Sequence, residues 1–315
     1  MAKARAIQQE GSVEAFLRGF SNKLADPAIS LPSTRCVTRP DLIRLLGTIR
    51  NELALPRIRS ASATALLGIL ERSGLIKRID ITPLNERVRK DRFYAVGLDT
   101  DPALIDPAEL LQAHEPEGVI CYFSALQLHE LTTQPAPHHH IAKVRAISDE
   151  AAPRSEIVTP GTTAPPLGSA QFKYQDVPYY VTARDSSILR KHQQRYLNAH
   201  SKVRVTTLEQ TLIDTLHRPM SAGGPSIVFE AWNAAATKIN VASVLDTVMH
   251  IGNPLLARRV GHMLERTLGE SLSASTELFR ALARENIISE SGEPPSLIAF
   301  MPYKTIDARW QLLVP

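Results

Sequence analysis

Residues 70–78 have the sequence Leu-Glu-Arg-Ser-Gly-Leu-Ile-Lys-Arg, which indicates a helix that ends and a strand that begins. Gly74 lies where a glycine often ends a helix, because glycine enters the left-handed backbone region without a steric cost. The segment Leu75–Ile79 alternates enough to predict a strand. Winged-helix domains often have this junction between their third helix and a β-hairpin.

The preceding sequence supplies the helices of such a domain. Apolar residues recur at helical spacing over residues 12–24 and again over 39–50. Arg57–Ser60 predicts a short connection to a third helix. Ser60 or Ser62 is the expected N-cap of that helix, because a hydroxyl can accept a hydrogen bond from an otherwise unpaired amide.

The following sequence supplies the wing. Thr82–Arg92 predicts a polar loop, and Phe93–Val96 predicts the return strand. Residues 26–40, rich in Pro, Ser and Thr, predict a loop between the first two helices. The resulting order is helix, helix, helix, strand, basic loop, strand. We therefore expect a winged helix-turn-helix that places its third helix in the major groove of DNA.

Composition limits the class of protein. Of the 315 residues, 43% are hydrophobic and 22% are charged, as in folded globular proteins. No apolar run approaches the roughly 18 residues that a membrane span needs, and the N-terminus lacks the apolar stretch of a secretory signal. Cys36 and Cys121 form no CxxC motif, so we expect two buried thiols and a cytoplasmic protein.

Charge is distributed unevenly along the chain. Residues 1–95 contain 17 Lys and Arg against 9 Asp and Glu, a balance of 17 − 9 = +8. The remaining residues contain 19 basic and 23 acidic side chains, a balance of 19 − 23 = −4. A linker-like stretch rich in Asp and Pro, Leu98–Gly118, follows the basic part. We expect domains at 1–100 and 101–315, of which only the first faces a polyanion.

Candidate DNA-binding residues form two groups. The first lies just before and within the start of the third helix, where side chains meet phosphates or base edges. The second lies in the wing, where clustered cations neutralise phosphates and release counterions. The predicted residues are Arg57, Arg59, Ser60, Ser62, Thr64, Arg87, Arg89, Lys90 and Arg92.

The second domain is predicted to be mixed, with a helix over Gly118–Leu131, short strands, and helices from about residue 226 onward. Residues 151–170, rich in Pro, Gly, Ser and Thr, predict an exposed loop. A pair of strands at 297–300 and 310–314 is expected to close the chain. The predicted fold class is therefore α+β, with an N-terminal winged helix-turn-helix.

No catalytic set is recognisable in the second domain. Asp214, Glu209 and Glu230 have no partner His, Lys or metal-ligand spacing, so we expect exposed acids near the ends of a helix. Gly223-Gly224 predicts a turn, because no Lys-Ser/Thr follows it as in a phosphate-binding loop. We expect no enzymatic activity and no cofactor.

Three consecutive histidines, His138-His139-His140, invite a metal-binding interpretation. Adjacent residues in a strand point to opposite faces, so at most two of the three could share one ion. We favour a polar junction between loop and strand, with no metal. His129 lies among leucines and is expected to be a hydrogen-bonded histidine at the edge of the core rather than a general base.

Two segments resemble the AbiEi antitoxin family. Residues 118–132, Gly-Val-Ile-Cys-Tyr-Phe-Ser-Ala-Leu-x-Leu-His-x-Leu-Thr, resemble that family's Gly-Val-Ile-Ser-x-x-Ser-Ala-Leu-x-x-His-x-Leu-Thr. Residues 203–224, from Val203-x-Val205 through Glu209-x-Thr-Leu-Ile-Asp to Pro219 and Gly223-Gly224, resemble a second family segment in order and spacing. A basic winged helix and a closing Arg309-Trp310 also fit.

The resemblance implies an antitoxin of a bacterial toxin–antitoxin pair used in abortive infection by phage. It implies that the N-terminal domain represses the shared promoter by binding inverted repeats in duplex DNA. It also implies that the C-terminal domain counteracts a nucleotidyltransferase-like toxin, whether or not the two proteins touch. The chain departs from many members in its longer N-terminal lead and its long loop at 151–170.

Two other function classes stay open. One is a transcription regulator with a ligand-sensing C-terminal domain and no toxin partner. The other is an enzyme tethered to DNA, which would require a converging acid–base or metal-binding set that the sequence does not reveal. An adjacent nucleotidyltransferase gene would separate the antitoxin from the ligand-sensing regulator.

Overall fold

The computed structural model describes residues 2–26, 35–53, 55–145, 168–199, 201–269, 277–285, 294–298 and 301–315. The chain divides into two compact units. The first unit comprises Met1–Pro116, Phe172–Gln175 and Tyr196–Val203. The second unit comprises Glu117–Gln171, Asp176–Arg195 and Arg204–Pro315. The domain boundary expected near residue 100 stays a prediction.

Helices and a small sheet build the first unit. In chain order its elements are α1 (Ala2–Leu24), β1 (Cys36–Thr38), α2 (Arg39–Leu53), α3 (Pro56–Ser60), α4 (Ala63–Arg72), β2 (Ile76–Arg78), β3 (Thr82–Pro83), β4 (Phe93–Val96) and α5 (Pro107–His114). Strand β4 pairs antiparallel with both β1 and β2, giving the order β1-β4-β2. Phe16, Leu42 and Leu66 are fully buried and join α1, α2 and α4 in one apolar core. Helices followed by two antiparallel strands are the elements of a winged helix-turn-helix.

The ends of α4 form as the sequence predicts. Ser62 is the N-cap, and its Oγ accepts a hydrogen bond from the amide of Ala65 at 3.1 Å. Gly74 follows the helix with φ of +76°, in the left-handed region that favours glycine. Both cysteines, Cys36 and Cys121, are buried free thiols, as expected.

Four details of the first unit correct the sequence-based predictions. Arg57–Ser60 belongs to the helix α3 rather than to a connection, because Ile58 is 3% exposed and anchors one turn in the core. The segment predicted to be a loop at 26–40 contains β1, whose partner β4 is distant in sequence. The supposed linker Leu98–Gly118 contains α5, whose residues from Ala108 to His114 are all buried.

The fourth correction concerns the wing. The predicted polar loop Thr82–Arg92 contains β3, which pairs with Phe172 and Lys173 of the first unit. Val88 is also only 6% exposed. The loop is therefore anchored at two places, and only part of it projects as a wing.

The later elements complete the α+β fold. They are β5 (Val119–Ile120), α6 (Tyr122–Leu128), β6 (His139–Arg145), β7 (Ser169–Tyr174), β8 (Val177–Asp185), β9 (His192–Asn198), β10 (Ser201–Thr206), α7 (Leu208–His217), α8 (Pro225–Ala234), α9 (Val241–Ile251), α10 (Pro254–Leu268), α11 (Glu277–Arg284), β11 (Thr305–Asp307) and β12 (Leu312–Val314). In the second unit β6 pairs parallel with β8 and antiparallel with β5. The predicted α+β class, with an N-terminal helical region and a helical C-terminal part, is confirmed.

The second unit has a large apolar core formed mainly by its helices. Trp232, Val244, Val260 and Leu212 are fully buried and join α8, α9, α10 and α7. This core explains the predicted helices from about residue 226, whose apolar stripes face one another. Within the described residues, no helix is both long and apolar enough to cross a lipid bilayer.

Two predicted elements of the second unit differ in the structure. The expected helix Gly118–Leu131 is split into β5 and α6, because Tyr122 has φ of +54° and breaks the helical backbone at that point. The closing antiparallel pair joins β12 to β11, at Thr305–Asp307, rather than to the predicted strand at 297–300. Of that predicted strand the structure describes Leu297 and Ile298, and the Leu297 amide donates a hydrogen bond to the carbonyl oxygen of Leu313. Most of the Pro-rich segment 151–170 lies outside the described residues.

Candidate nucleic-acid interface

Helix α3 presents two predicted DNA-binding arginines to solvent. Pro56 occupies the first position of the helix, where its missing N–H costs nothing. Ile58 faces the core, so its neighbours Arg57 and Arg59 are exposed, as is Ser60. Arg50 donates a hydrogen bond to the carbonyl oxygen of Arg59 at 2.5 Å, which ties the end of α3 to α2.

The first turn of α4 presents the predicted hydroxyls. Ser62 and Thr64 are both exposed. The Ser62 hydroxyl accepts the Ala65 amide hydrogen, so its own hydrogen stays available for a phosphate oxygen. The helix start also concentrates unpaired amides and a partial positive charge, which favour an anion.

The outward face of α4 continues beyond these residues. Thr64 and Ala65 are exposed, Gly68 is half-buried, and Arg72 is exposed one helical turn after Gly68. These positions share a face because residues four apart are neighbours on a helix. Small side chains allow the backbone of the helix to approach a partner closely. Arg72 is not among the residues predicted from the sequence, although its spacing of four from Gly68 could have revealed it.

The four predicted wing residues are not equivalent. Arg87, Arg89 and Lys90 are exposed, whereas Arg92 is half-buried. Arg89 forms an ion pair with Asp91 at 2.9 Å, and Asp91 also pairs with Arg39. Within the described part of the chain, no carboxylate pairs with Arg87 or Lys90. These two cations are therefore the most available in the wing.

Asp214 is the clearest correction outside the interface. It was expected to be an exposed acid, but its side chain has no exposed surface. Arg184, also fully buried, donates two hydrogen bonds to its carboxylate at 2.6 and 3.1 Å. Gln210 donates a third at 2.9 Å. Desolvation lowers the pKa of Arg184, but the Asp214 carboxylate outweighs it and holds this pKa well above its ordinary value.

The other two acids considered with Asp214 are half-buried and have structural partners. Glu209 accepts a hydrogen bond from the backbone amide of Asn240 at 3.3 Å. Glu230 accepts one from the amide of Thr133 at 3.4 Å. Asp214, Glu209 and Glu230 each contact different partners, and nothing in these contacts brings the three carboxylates together.

The three consecutive histidines lie where a loop leads into β6, as predicted, but all three are buried. The Ser124 hydroxyl lies 3.2 Å from Nδ1 of His139 and accepts the backbone N–H of His140 at 3.0 Å. His138 Nε2 lies 3.0 Å from the carbonyl oxygen of Ser221. Burial lowers the pKa of His139 to about 4, with a smaller contribution from His138.

Two further histidines are buried in the second unit. His129 is 9% exposed, and its Nε2 lies 2.7 Å from the carbonyl oxygen of Thr206, so it is a hydrogen-bonded histidine of the core edge, as predicted. His217 is 1% exposed. Burial, then the positive charges of Arg184, Arg218 and Arg259, lower the pKa of His217 well below its ordinary value. Among the described residues, no group of three His, Cys, Asp or Glu side chains could hold a metal ion.

Comparisons with known proteins extend this description only to the fold. No family model matches the chain, and no curated protein matches it. Among solved structures, the crystal structure of the RV2827C protein from Mycobacterium tuberculosis is similar, with a TM-score of 0.51 and 14% sequence identity. The match covers 96% of this chain and 91% of that chain. At this identity the likeness concerns the α+β fold alone, and membership of the AbiEi family stays a prediction.

Proposed function

We propose that this chain is a DNA-binding transcriptional repressor that acts as the antitoxin of a nucleotidyltransferase-like toxin and represses their shared operon. The outward face of α3 and α4 is the observation that supports DNA binding most directly. It combines exposed guanidinium groups, exposed hydroxyls and small side chains on two consecutive helices, the second of which is capped by Ser62. A helix with this surface suits the major groove, where side chains reach base edges.

The two basic groups have different roles in this proposal. Arg87 and Lys90, which pair with no carboxylate of the described residues, lie in the wing and neutralise phosphates, which adds affinity for any sequence. Arg57 in α3, together with Ser62 and Thr64 at the start of α4, contributes to discrimination between bases. Arg89 contributes less than its neighbours, because Asp91 already offsets part of its charge.

The first experiment measures binding of the full-length chain to a labelled duplex from its own promoter and to a scrambled duplex. Fluorescence anisotropy over a range of salt concentrations gives the slope of log K against log salt. Four to six phosphate contacts would give a slope of roughly −4 to −5, at about 0.9 per contact. No binding to promoter DNA at low salt would refute the proposal.

Variants separate the two roles. Arg87→Ala with Lys90→Ala should weaken binding to both duplexes by similar factors and reduce the salt slope by about 1 per residue. Arg57→Ala should reduce the preference for the promoter duplex by about 1–3 kcal/mol. Arg145→Ala, an exposed arginine of the second unit, is the matched control. The reverse pattern would show that helix and wing are misassigned.

Toxin neutralisation rests on the family resemblance and on the acidic balance of −4 beyond residue 95. A nucleotidyltransferase binds nucleotide phosphates and is expected to have a basic surface. An acidic body would associate with such a surface by charge complementarity, which mainly raises the association rate. We propose that this activity is independent of DNA binding.

Co-expression with the neighbouring toxin tests this independence. The full-length chain with alanine at Arg57, Arg59, Arg89 and Lys90 should lose promoter binding yet still restore growth. If the folded quadruple variant fails to protect the cells, antitoxic activity requires the DNA-binding surface, and the proposed division of roles is wrong.

A further inference from the structure

A concave site in the second unit is not explained by DNA binding or by the apolar core. It is a cavity of about 540 Å³ lined by Arg280, Ala283, Arg284, Ala308, Arg309, Trp310 and Gln311. Two elements form it: helix α11, and the turn between β11 and β12. Its volume lies within the roughly 300–1,000 Å³ of small-molecule binding sites.

Three arginines give this cavity its chemistry. Arg280 and Arg284 are four residues apart on α11 and therefore share one face of the helix. Within the described residues, neither guanidinium lies within ion-pair distance of a carboxylate. Arg309 forms an ion pair with Glu265 at 2.9 Å, so its charge is already offset. Among the described residues, Arg280 and Arg284 thus bring to this concavity two positive charges that pair with no carboxylate.

The turn that faces these arginines is held firmly. One oxygen of Asp307 accepts the backbone N–H groups of Arg309 and Trp310 at 2.9 and 3.2 Å. Its other oxygen lies 2.6 Å from Nδ1 of His262. The Trp310 indole donates to Glu265 at 2.8 Å, which fixes the turn to α10. The wall opposite α11 is therefore organised before any ligand arrives, and preorganisation reduces the entropy cost of binding.

We infer that this cavity, the arginine pocket, binds a small molecule that bears a phosphate group, with a nucleoside diphosphate as the best fit. Guanidinium groups form paired hydrogen bonds with phosphate oxygens. Ala283 and Ala308 leave apolar room beside the charges for the non-phosphate part of the ligand. A concavity of this size suits a small anion better than a DNA backbone, which requires an extended basic surface.

Isothermal titration calorimetry on the full-length chain tests the inference with three probes: ADP, inorganic pyrophosphate and adenosine. ADP and pyrophosphate should bind, and adenosine should bind at least about tenfold more weakly, because the phosphate is the recognised group. Binding of the two anions should weaken as salt is added. Absence of binding by both anions, or equal binding of adenosine and ADP, would overturn the inference.

Variants locate the site. Arg280→Gln with Arg284→Gln should weaken ADP binding at least about tenfold, which corresponds to the loss of one charge-assisted contact. Arg145→Gln with Arg190→Gln, two exposed arginines of the same unit outside the pocket, is the matched control. Ala308→Glu tests the site without removing an arginine, because a carboxylate placed in the pocket should repel the phosphate. Circular dichroism confirms that each variant is folded.

The same variants distinguish the pocket from a DNA contact. Promoter binding by the Arg280→Gln/Arg284→Gln chain should stay within about twofold of the parent chain, since these residues lie outside the winged helix. If ADP binding is unchanged in the pocket variants, or if the control pair weakens it equally, the arginine pocket is not the binding site. A bound ligand would favour the ligand-sensing class of regulator.

Discussion

The buried ion pair between Arg184 and Asp214 gives the sharpest test of the structure. Asp214→Asn preserves the shape of the side chain but removes its charge. The buried Arg184 guanidinium then faces a neutral amide. Whichever way that amide is rotated, its one oxygen can accept only part of the hydrogen bonds that Arg184 donates. The expected result is a large loss of stability confined to the second unit, because both residues belong to it.

The magnitude follows from burial. Neither side chain has exposed surface, and Asp214 receives three hydrogen bonds, two of them from Arg184. Removing one partner of a buried pair typically costs about 3–5 kcal/mol, because the remaining charge stays desolvated and uncompensated. Since domains are stable by only about 5–15 kcal/mol, this loss would remove a large part of the second unit's free energy of unfolding.

Tryptophan fluorescence during urea denaturation is the appropriate assay. Trp232 and Trp310 are the two tryptophans of the chain, and both lie in the second unit. The signal therefore reports the unfolding of that unit rather than of the winged helix. Lys191→Met is the control, because its ion pair with Asp246 is partly exposed and screened by solvent.

A double variant completes the test. Arg184→Met with Asp214→Leu removes both charges and leaves apolar groups of similar size in an interior site. Its loss of stability should be smaller, by about 1–3 kcal/mol, than the sum of the losses in the single variants Arg184→Met and Asp214→Leu. Two results would show that the pair is not buried as described. Either Asp214→Asn unfolds at the same urea concentration as the parent chain, or the losses in Arg184→Met and Asp214→Leu add up to the loss in the double variant.

Three further predictions concern other parts of the chain. A Cβ atom on Gly261 would overlap the Trp310 ring. Gly261→Ala should therefore destabilise the second unit by about 1–3 kcal/mol in the same urea assay. An unchanged midpoint of urea unfolding would contradict this packing. Burial lowers the pKa of His139 from 6.5 to about 4, so this side chain is neutral in the folded protein. Its contribution to the free energy of unfolding is present above pH 6.5 and is lost as the pH falls toward 4, a loss of roughly 3 kcal/mol. The free energy of unfolding from urea denaturation should therefore fall less with pH in His139→Asn than in the parent chain. Ser62→Asp keeps the helix cap but adds a negative charge at the proposed interface. DNA affinity should therefore fall in an anisotropy titration, while the midpoint of thermal unfolding stays within about 2 °C of the parent chain. A loss of stability without a loss of affinity would place Ser62 away from DNA.

The sequence determined the local elements of the winged helix. The serine cap, the left-handed Gly74 and the apolar spacing of α2 and α4 each act within a few residues, so they are visible in the sequence. The same holds for the helices beyond residue 225, whose apolar stripes match their buried faces. The exposed candidates at Arg57, Arg59 and Thr64 follow from their position beside a buried Ile58 or a helix start.

The tertiary structure decided what depends on contacts between distant residues. Strand β1 exists because β4 pairs with it across about 55 residues of sequence. Asp214 resembles any acid in a helix until Arg184, 30 residues away, is buried against it. Arg280 and Arg309 also belong to separate segments, and only folding places them around one cavity. Propensity and spacing describe neighbours along the chain, whereas burial, ion pairing and cavities are set by long-range packing, which a single sequence does not display.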